Sequence, residues 1–355
     1  MKNLKELIAI NSFENKDAII EYLKRKFQPF AIEVIVLKNK EDDDKSLIVG
    51  LNTKLKDVQP IVLSGHIDTV APDYKKYQTN PLELILKDGK GYGLGSVDMK
   101  SFTAVILDNI EKLRNIDMPI VVALTTDEET KLKCIKNVIC KFKELNILPK
   151  FTIVGEPTNC QIKNEANCGF EYKVEIFGKA CHSSRINEGI NSINIMAKLV
   201  TFIEEIQKNI DLTSNSGVVS GGDIVNRVPD YCTFRFDIRS TKKAAINQFL
   251  TAVRDKIEML QKEYKGCQIV LTKKLEIPPL EEKNKDLITK IAKELGLKIS
   301  KFSGGCEAGF YQSLSGDAII FGVGDIDLAH KPNEFVVIDE YKKYSDLLLK
   351  MIDKL

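Results

Sequence analysis

The chain has 355 residues, 43% hydrophobic and 29% charged, which is too apolar for disorder and long enough for two domains. Its 52 Lys and Arg nearly cancel its 50 Asp and Glu, and no basic block stands out. A phosphate-neutralising nucleic-acid surface is therefore not expected.

The opening Met1-Lys-Asn-Leu-Lys-Glu-Leu breaks its apolar run with charges and is not expected to act as a signal peptide. No stretch approaches the roughly 18 apolar residues of a membrane span. Leu4, Leu7 and Ile8, then Ile19, Ile20, Leu23 and Phe27, predict two amphipathic helical pieces over 3–27. Short β runs follow at 33–38, 46–51 and 60–65, the first two joined by a charged, solvated hairpin loop from Lys38 to Lys45. From residue 100 the pattern alternates between helix 100–115, strand 120–125, helix 131–145 and strand 151–154. That alternation predicts a largely parallel sheet covered on both faces.

The middle of the chain changes character. A half-exposed strand at 170–177, a helix at 190–206, strands at 217–220 and 231–238, a helix at 242–264 and a strand at 267–275 follow one another. The order β-α-β-β-α-β is that of ferredoxin-like domains. Pro278-Pro279 marks the return, and a helix, a strand at 318–321 and a helix at 340–352 complete the chain. The expected architecture is an α/β domain with a covered mixed sheet, residues 1–163 and 276–355, carrying an inserted α+β ferredoxin-like domain, 164–275. Eight cysteines (Cys134, Cys140, Cys160, Cys168, Cys181, Cys232, Cys267 and Cys306) show no Cys-x-x-Cys and no framework spacing. They read as reduced, mostly buried thiols of a cytoplasmic protein.

Acidic and imidazole groups recur at one kind of place, just past the carboxyl end of a predicted strand. These are His66 and Asp68, Asp98, the run Asp127-Glu128-Glu129, and Glu156. Ligands bind at that edge in open α/β sheets. Each alone has an ordinary reading, since a strand-end histidine is usually structural and a Glu pair favours a helix N-terminus. The histidine count changes this. The chain has three, and the other two also sit in loaded contexts, Ala180-Cys-His182-Ser-Ser and Ala329-His330-Lys-Pro332. Imidazole and carboxylate ligands with few thiols suit Zn²⁺, with Co²⁺ or Mn²⁺ as substitutes. Two close ions need a bridging carboxylate and terminal ligands, and one more free carboxylate can serve as general base on water.

With these motifs in this order, the chain resembles the acetylornithine deacetylase/succinyl-diaminopimelate desuccinylase family of di-zinc deacylases and peptidases. The resemblance implies two Zn²⁺ per subunit. His66 and Glu156 are then terminal ligands of one ion, Glu129 and His330 of the other, and Asp98 the bridge. Asp68 orients His66, and Glu128 is the general base. It also implies a cis peptide bond between Asp98 and Met99. Ala180-Cys-His182-Ser-Ser resembles a Gly-His-Ser-Ser motif whose histidine reaches the partner's active site across a homodimer formed through the inserted lid domain. The segments Ser220-Gly-Gly-Asp-Ile-Val-Asn226-Arg-Val-Pro229 and Phe236-Asp-Ile-Arg239 resemble those whose Asn and Arg hold the substrate carboxylate. Ser96, Ser101, Cys181, Cys306 and Val323 depart from the family's usual residues, and none is a ligand.

The expected reaction is hydrolysis of an N-acyl amino acid. N2-acetyl-L-ornithine is favoured because Glu307-Ala-Gly-Phe310 and the stretch Asp325 to Glu334 resemble the acetylornithine branch. Glu307 is expected to meet the ornithine ammonium. A succinyl-diaminopimelate desuccinylase or a dipeptidase has the same machinery. A non-catalytic metal-binding sensor of amino acids is the rival from another class, and the presence of Glu128 beside Glu129 speaks against it.

Overall fold

Two short helices open the chain, α1 (Lys2–Ile8) and α2 (Lys16–Phe27), and each buries the apolar stripe read from its sequence. Strands β1 (Glu33–Lys38), β2 (Lys45–Gly50) and β3 (Ile61–His66) follow, then the short β4 (Ile85–Lys87) and β5 (Lys90–Tyr92). Next come α3 (Lys100–Asp108), α4 (Ile110–Arg114), β6 (Ile120–Thr125), α5 (Cys134–Glu144), β7 (Phe151–Val154) and β8 (Ile162–Ala166). The computed structural model describes residues 1–39, 42–314 and 316–355, so Lys40 and Glu41 of the expected hairpin loop lie outside the described residues.

The chain forms two units, residues 1–166 with 280–355, and residues 167–279. The second unit holds β9 (Gly169–Phe177), α6 (Ser192–Gln207), β10 (Thr213–Gly221), β11 (Tyr231–Arg239), α7 (Lys243–Glu263) and β12 (Gln268–Ile277). Its sheet order is β10-β11-β9-β12, entirely antiparallel. Alternating side chains such as Tyr172, Val174 and Ile176 meet Phe234, Phe236 and the inner faces of α6 and α7 in one apolar core. The first unit resumes with α8 (Lys285–Leu295), β13 (Ile299–Phe302), α9 (Ala308–Gln312), β14 (Asp317–Ile320), β15 (Phe335–Val337) and α10 (Ile338–Ile352). The borders fall a few residues later than expected, because β8 still belongs to the first unit's sheet and β12 runs on to Ile277.

The first unit's main sheet has eight strands in the order β1-β2-β6-β3-β7-β14-β8-β13. It is mixed. β6, β3, β7 and β14 run parallel, as do β8 and β13, while β1, β2 and the β14–β8 contact are antiparallel. The central strands β3, β6, β7 and β14 are buried along their whole length, as expected of parallel strands covered on both faces. A separate small sheet orders β15-β5-β4.

Two helices differ from their expected spans for identifiable reasons. The run 100–115 breaks at Asn109, whose side-chain amide donates to the Val105 carbonyl and to Ser345 Oγ. The run 131–145 starts late because Leu132 has φ 52° and the Asp127 carboxylate caps the Lys133 and Cys134 amides. Among the described residues no helix is long and apolar enough to cross a membrane. All eight cysteines are free, and five of them are buried.

Candidate metal centre

The site forms where the parallel strands end. His66 is the last residue of β3, Asp127 to Glu129 follow β6, and Glu156 follows β7. Asp98 lies just before α3, across the cis Asp98–Met99 bond. Small residues precede two of these candidate donors because α3 packs against the strand ends. A Cβ on Gly65 would lie 2.3 Å from Met99 Cε, and one on Gly155 2.0 Å from Phe102 Cγ.

Two groups of three donors share one carboxylate. His66, Asp98 and Glu156 offer atoms within 4.8 Å of one another, and so do Asp98, Glu129 and His330. His66 Nε2 lies 3.0 Å from Asp98 Oδ1 and 4.0 Å from Glu156 Oε1. His330 Nε2 lies 3.3 Å from Asp98 Oδ2 and 2.8 Å from Glu129 Oε1. The edge of a tetrahedron with metal–ligand bonds of about 2.0–2.1 Å is roughly 3.3 Å, so these separations suit two zinc-sized ions. Asp98 turns one oxygen toward each triad, as a bridge must. The donor set, neutral imidazole plus anionic carboxylate, is also one that zinc takes.

The supports fit the same reading. His66 Nδ1 faces the Asp68 carbonyl oxygen at 3.1 Å and its carboxylate at 3.5 Å, which places the ring hydrogen there and leaves Nε2 as the nitrogen that could ligate a metal. The Asp68 carboxylate also accepts the amides of Glu128 (3.3 Å) and Glu129 (3.1 Å). One aspartate thus fixes the imidazole of one triad and the backbone carrying Glu128 and Glu129.

Sequence reasoning missed two buried charged residues beside these donors. Lys100 donates to the Leu7 and Ile10 carbonyls, tying α1 and the loop after it to the start of α3. Glu334 accepts the amides of Gly95, Val97 and Asp98. Neither carries a pattern of its own, and only Glu334's place four residues after His330 hints at the site.

So many acids in one place shift one another. Burial holds the Glu128 carboxyl well above its ordinary value, with the Glu156 charge adding to the effect. Burial likewise pushes Glu156 up to about 8, and Glu307 and Glu334 up to about 7. Burial opposes protonation of His66, yet its hydrogen bonds to Asp68 and Asp98 hold it well above the usual histidine value. The hydrogen bond to Asp98 lifts His330 to about 9.

In metal-free protein the folded state therefore keeps protons that the unfolded chain releases near 4.5, the ordinary Glu value. That stability is present at low pH and is lost as pH rises through the folded values. The unfolding midpoint of chelator-treated protein is expected to fall between about pH 5 and pH 7. Lys100, pushed down to about 7 by burial, acts in the opposite sense only above that window. A midpoint that rises across the window, followed by calorimetry, contradicts the assignment.

The other expected residues fall in different places. Glu307 is 1% exposed, and its two oxygens accept the hydroxyls of Ser64 and Thr125. This corrects its expected role, because a carboxylate engaged in this way beneath the strand ends is not presented to a substrate ammonium. In the second unit, His182 is exposed and caps a short 3-10 turn, Ser183–Glu188. Its Nδ1 accepts the Ser184 amide at 3.2 Å, so the neutral ring carries its hydrogen on Nε2. The segment bearing Asn226 lies beside it, with the Ser183 amide donating to the Asn226 carbonyl and His182 bridging to Arg227. Arg239 is not with them. It closes β11 while Asn226 precedes that strand, and eight steps at about 3.3 Å put the two ends roughly 26 Å apart. One copy of this unit does not bring Asn226 and Arg239 to the same carboxylate.

Comparison with known proteins agrees with this chemistry. The profile of the family described as Peptidase family M20/M25/M40 matches residues 62–354. A protein named acetylornithine deacetylase from Buchnera aphidicola subsp. Acyrthosiphon pisum (strain Tuc7) is 32% identical over 311 residues, covering 83% of this chain and 80% of the relative. One of the same name from Shigella sonnei (strain Ss046) is 30% identical over 311 residues, covering 82% and 79%. Among solved structures, a tripeptidase from Staphylococcus aureus subsp. aureus Mu50 superposes with TM-score 0.72 at 22% identity, over 99% of this chain and 96% of that one. An M20 family metallo-carboxypeptidase from Sulfolobus solfataricus gives 0.71 at 16%, over 100% and 99%. The two structures share the fold.

Proposed function

The chain belongs to peptidase family M20/M25/M40, and on that premise we propose that it is a two-metal deacylase of N-acyl amino acids whose substrate is N2-acetyl-L-ornithine. The observation that carries this is the pair of donor triads sharing Asp98, with Glu128 next to a ligand but in neither triad. The choice of acetylornithine rests on the names of the relatives, since Glu307 no longer supplies a reason for it.

His66 and Glu156 would hold one ion, Glu129 and His330 the other, and Asp98 both. When bound, the ions polarise the amide carbonyl and lower the pKa of water. Glu128 takes the proton of the attacking water and delivers it to the leaving nitrogen, and its raised pKa is the direction that work near neutral pH needs. His182, with Nε2 as donor, stabilises the developing oxyanion. Arg239 suits a carboxylate through its forked donors. Asn226 travels with His182. Both come from the partner of a homodimer in this reading, which also explains why they stand at the other end of β11 from Arg239. The outer edge of β10 supports an interface there, with Val218 and Val219 exposed on the strand and Ile224 and Val225 beyond it.

A product-release assay on acetylornithine, succinyl-diaminopimelate and dipeptides tests the substrate. Acetate from acetylornithine is expected to be the fastest product. Faster succinate release or peptide cleavage assigns the rival substrates, and no turnover by zinc-replete protein removes the catalytic reading. The metal set is tested separately. Protein loaded with excess zinc and desalted is expected to approach two ions per chain by elemental analysis, matching the two triads. A ceiling of one that survives Asp98→Ala rules out the bridged site.

A further inference from the structure

We propose that Glu334 is a positioning residue that sets the shared Asp98 carboxylate between the two triads, an inference that rests on the metal-site reading above. Glu334 is 2% exposed and spends both oxygens on one loop. Oε1 accepts the Val97 amide at 2.6 Å and the Asp98 amide at 2.9 Å, and Oε2 accepts the Gly95 amide at 3.1 Å. Three backbone donors converging on an anion form a nest of the kind that holds phosphates, here closed by the chain's own side chain. A carboxylate this deep is costly unless hydrogen-bonded, and these charge-assisted bonds are of the stronger class.

What the nest fixes gives the residue its function. The loop it grips ends at Asp98, the one ligand common to both triads. Glu334 itself stands four residues after His330, a ligand of the second triad. Its backbone is stitched to the same loop, since the Gly93 amide donates to the Glu334 carbonyl at 3.0 Å and Phe335 of β15 pairs with Tyr92 of β5. His330 and Asn333 hold left-handed backbone, with φ 59° and 62°, so the segment between ligand and clamp is a turned one that depends on such anchoring. One side chain therefore locks the His330 segment to the Asp98 loop and sets the 3.3 Å between His330 Nε2 and Asp98 Oδ2.

Glutamine is the informative substitution. It keeps the shape and one acceptor oxygen but turns an NH₂ toward an amide that needs an acceptor. The full chain, stripped of metal, is titrated with zinc against a chromophoric chelator for the wild type, Glu334→Gln and Asp98→Asn. Glu334→Gln is expected to weaken at least one zinc by about 10–100-fold, the usual cost of losing a group that supports a ligand. kcat should fall on the same scale while KM stays close to wild type. A purely structural role predicts a lower unfolding midpoint with both zinc affinities unchanged. If Asp98→Asn loses zinc while Glu334→Gln stays within about tenfold of wild type, the positioning role is overturned and the metal site stands. If neither substitution weakens zinc binding, the metal-site reading itself fails. Should Glu334→Gln prove insoluble, Glu334→Asp, with its charge kept and its reach one methylene shorter, is read by the same criterion.

Discussion

Glu128→Gln is expected to leave the fold and both ions in place and to lower kcat by about 10²–10⁴-fold, the usual contribution of a general base. Glutamine matches glutamate in shape, so the loop has no reason to move. Its backbone is held independently, by the Asp68 carboxylate on the Glu128 and Glu129 amides and by Asp127 at the start of α5. Metal should be retained because Glu128 belongs to neither triad. What is lost is chemical, since an amide oxygen cannot take a proton from water at neutral pH. Acetate release measured beside zinc content separates the two effects. A zinc-replete variant with near-normal kcat would move the base role to another group.

The residues that the sequence offered most clearly are those at the ends of buried parallel strands. Such strands read as apolar runs, so the charged or imidazole groups at or just past each end stand out, and His66, the run Asp127-Glu128-Glu129 and Glu156 are all of this kind. The β-α-β-β-α-β order was equally plain, because each of those elements is long enough to show its period. The small sheet was not. β4, β5 and β15 have three residues each, too few for alternation, and β15 pairs with β5 from the far end of the chain. β8 and β13 are parallel partners separated by the entire inserted unit. A pairing of that kind exists only after folding.

Glu307 and Glu334 show the same limit at the site itself. Both are single glutamates next to recognisable segments, and both are buried acids whose partners come from distant strands and loops. Sequence pattern could not separate a glutamate facing a substrate from one supporting a loop. The backbone amides and hydroxyls that surround each one decide it. Arg239 differs, because the length of β11 was readable and already implied that its two ends are far apart.

His182→Ala is expected to lower kcat by about 10²–10³-fold, the scale of losing one oxyanion donor, and the defect should be repaired by a second inactive protein. His182 lies in the inserted unit, whereas every donor of the two triads belongs to the other unit, and its Nδ1 is occupied by the Ser184 amide, leaving Nε2–H as the donor. If the histidine serves the partner's site, mixing His182→Ala subunits with Glu128→Gln subunits and allowing exchange creates a new combination. In the mixed dimer, the metal site of the His182→Ala subunit has an intact Glu128 and receives His182 from its partner. The other site lacks both groups. With random exchange of equal amounts, roughly one site in four across the mixture regains function. If His182 instead serves its own chain, each site keeps its original defect and mixing changes nothing. Light scattering establishes that the species is a dimer, and differently tagged subunits recovered together establish exchange. Activity that stays at the level of the separate variants, with mixed dimers demonstrated, refutes action in trans.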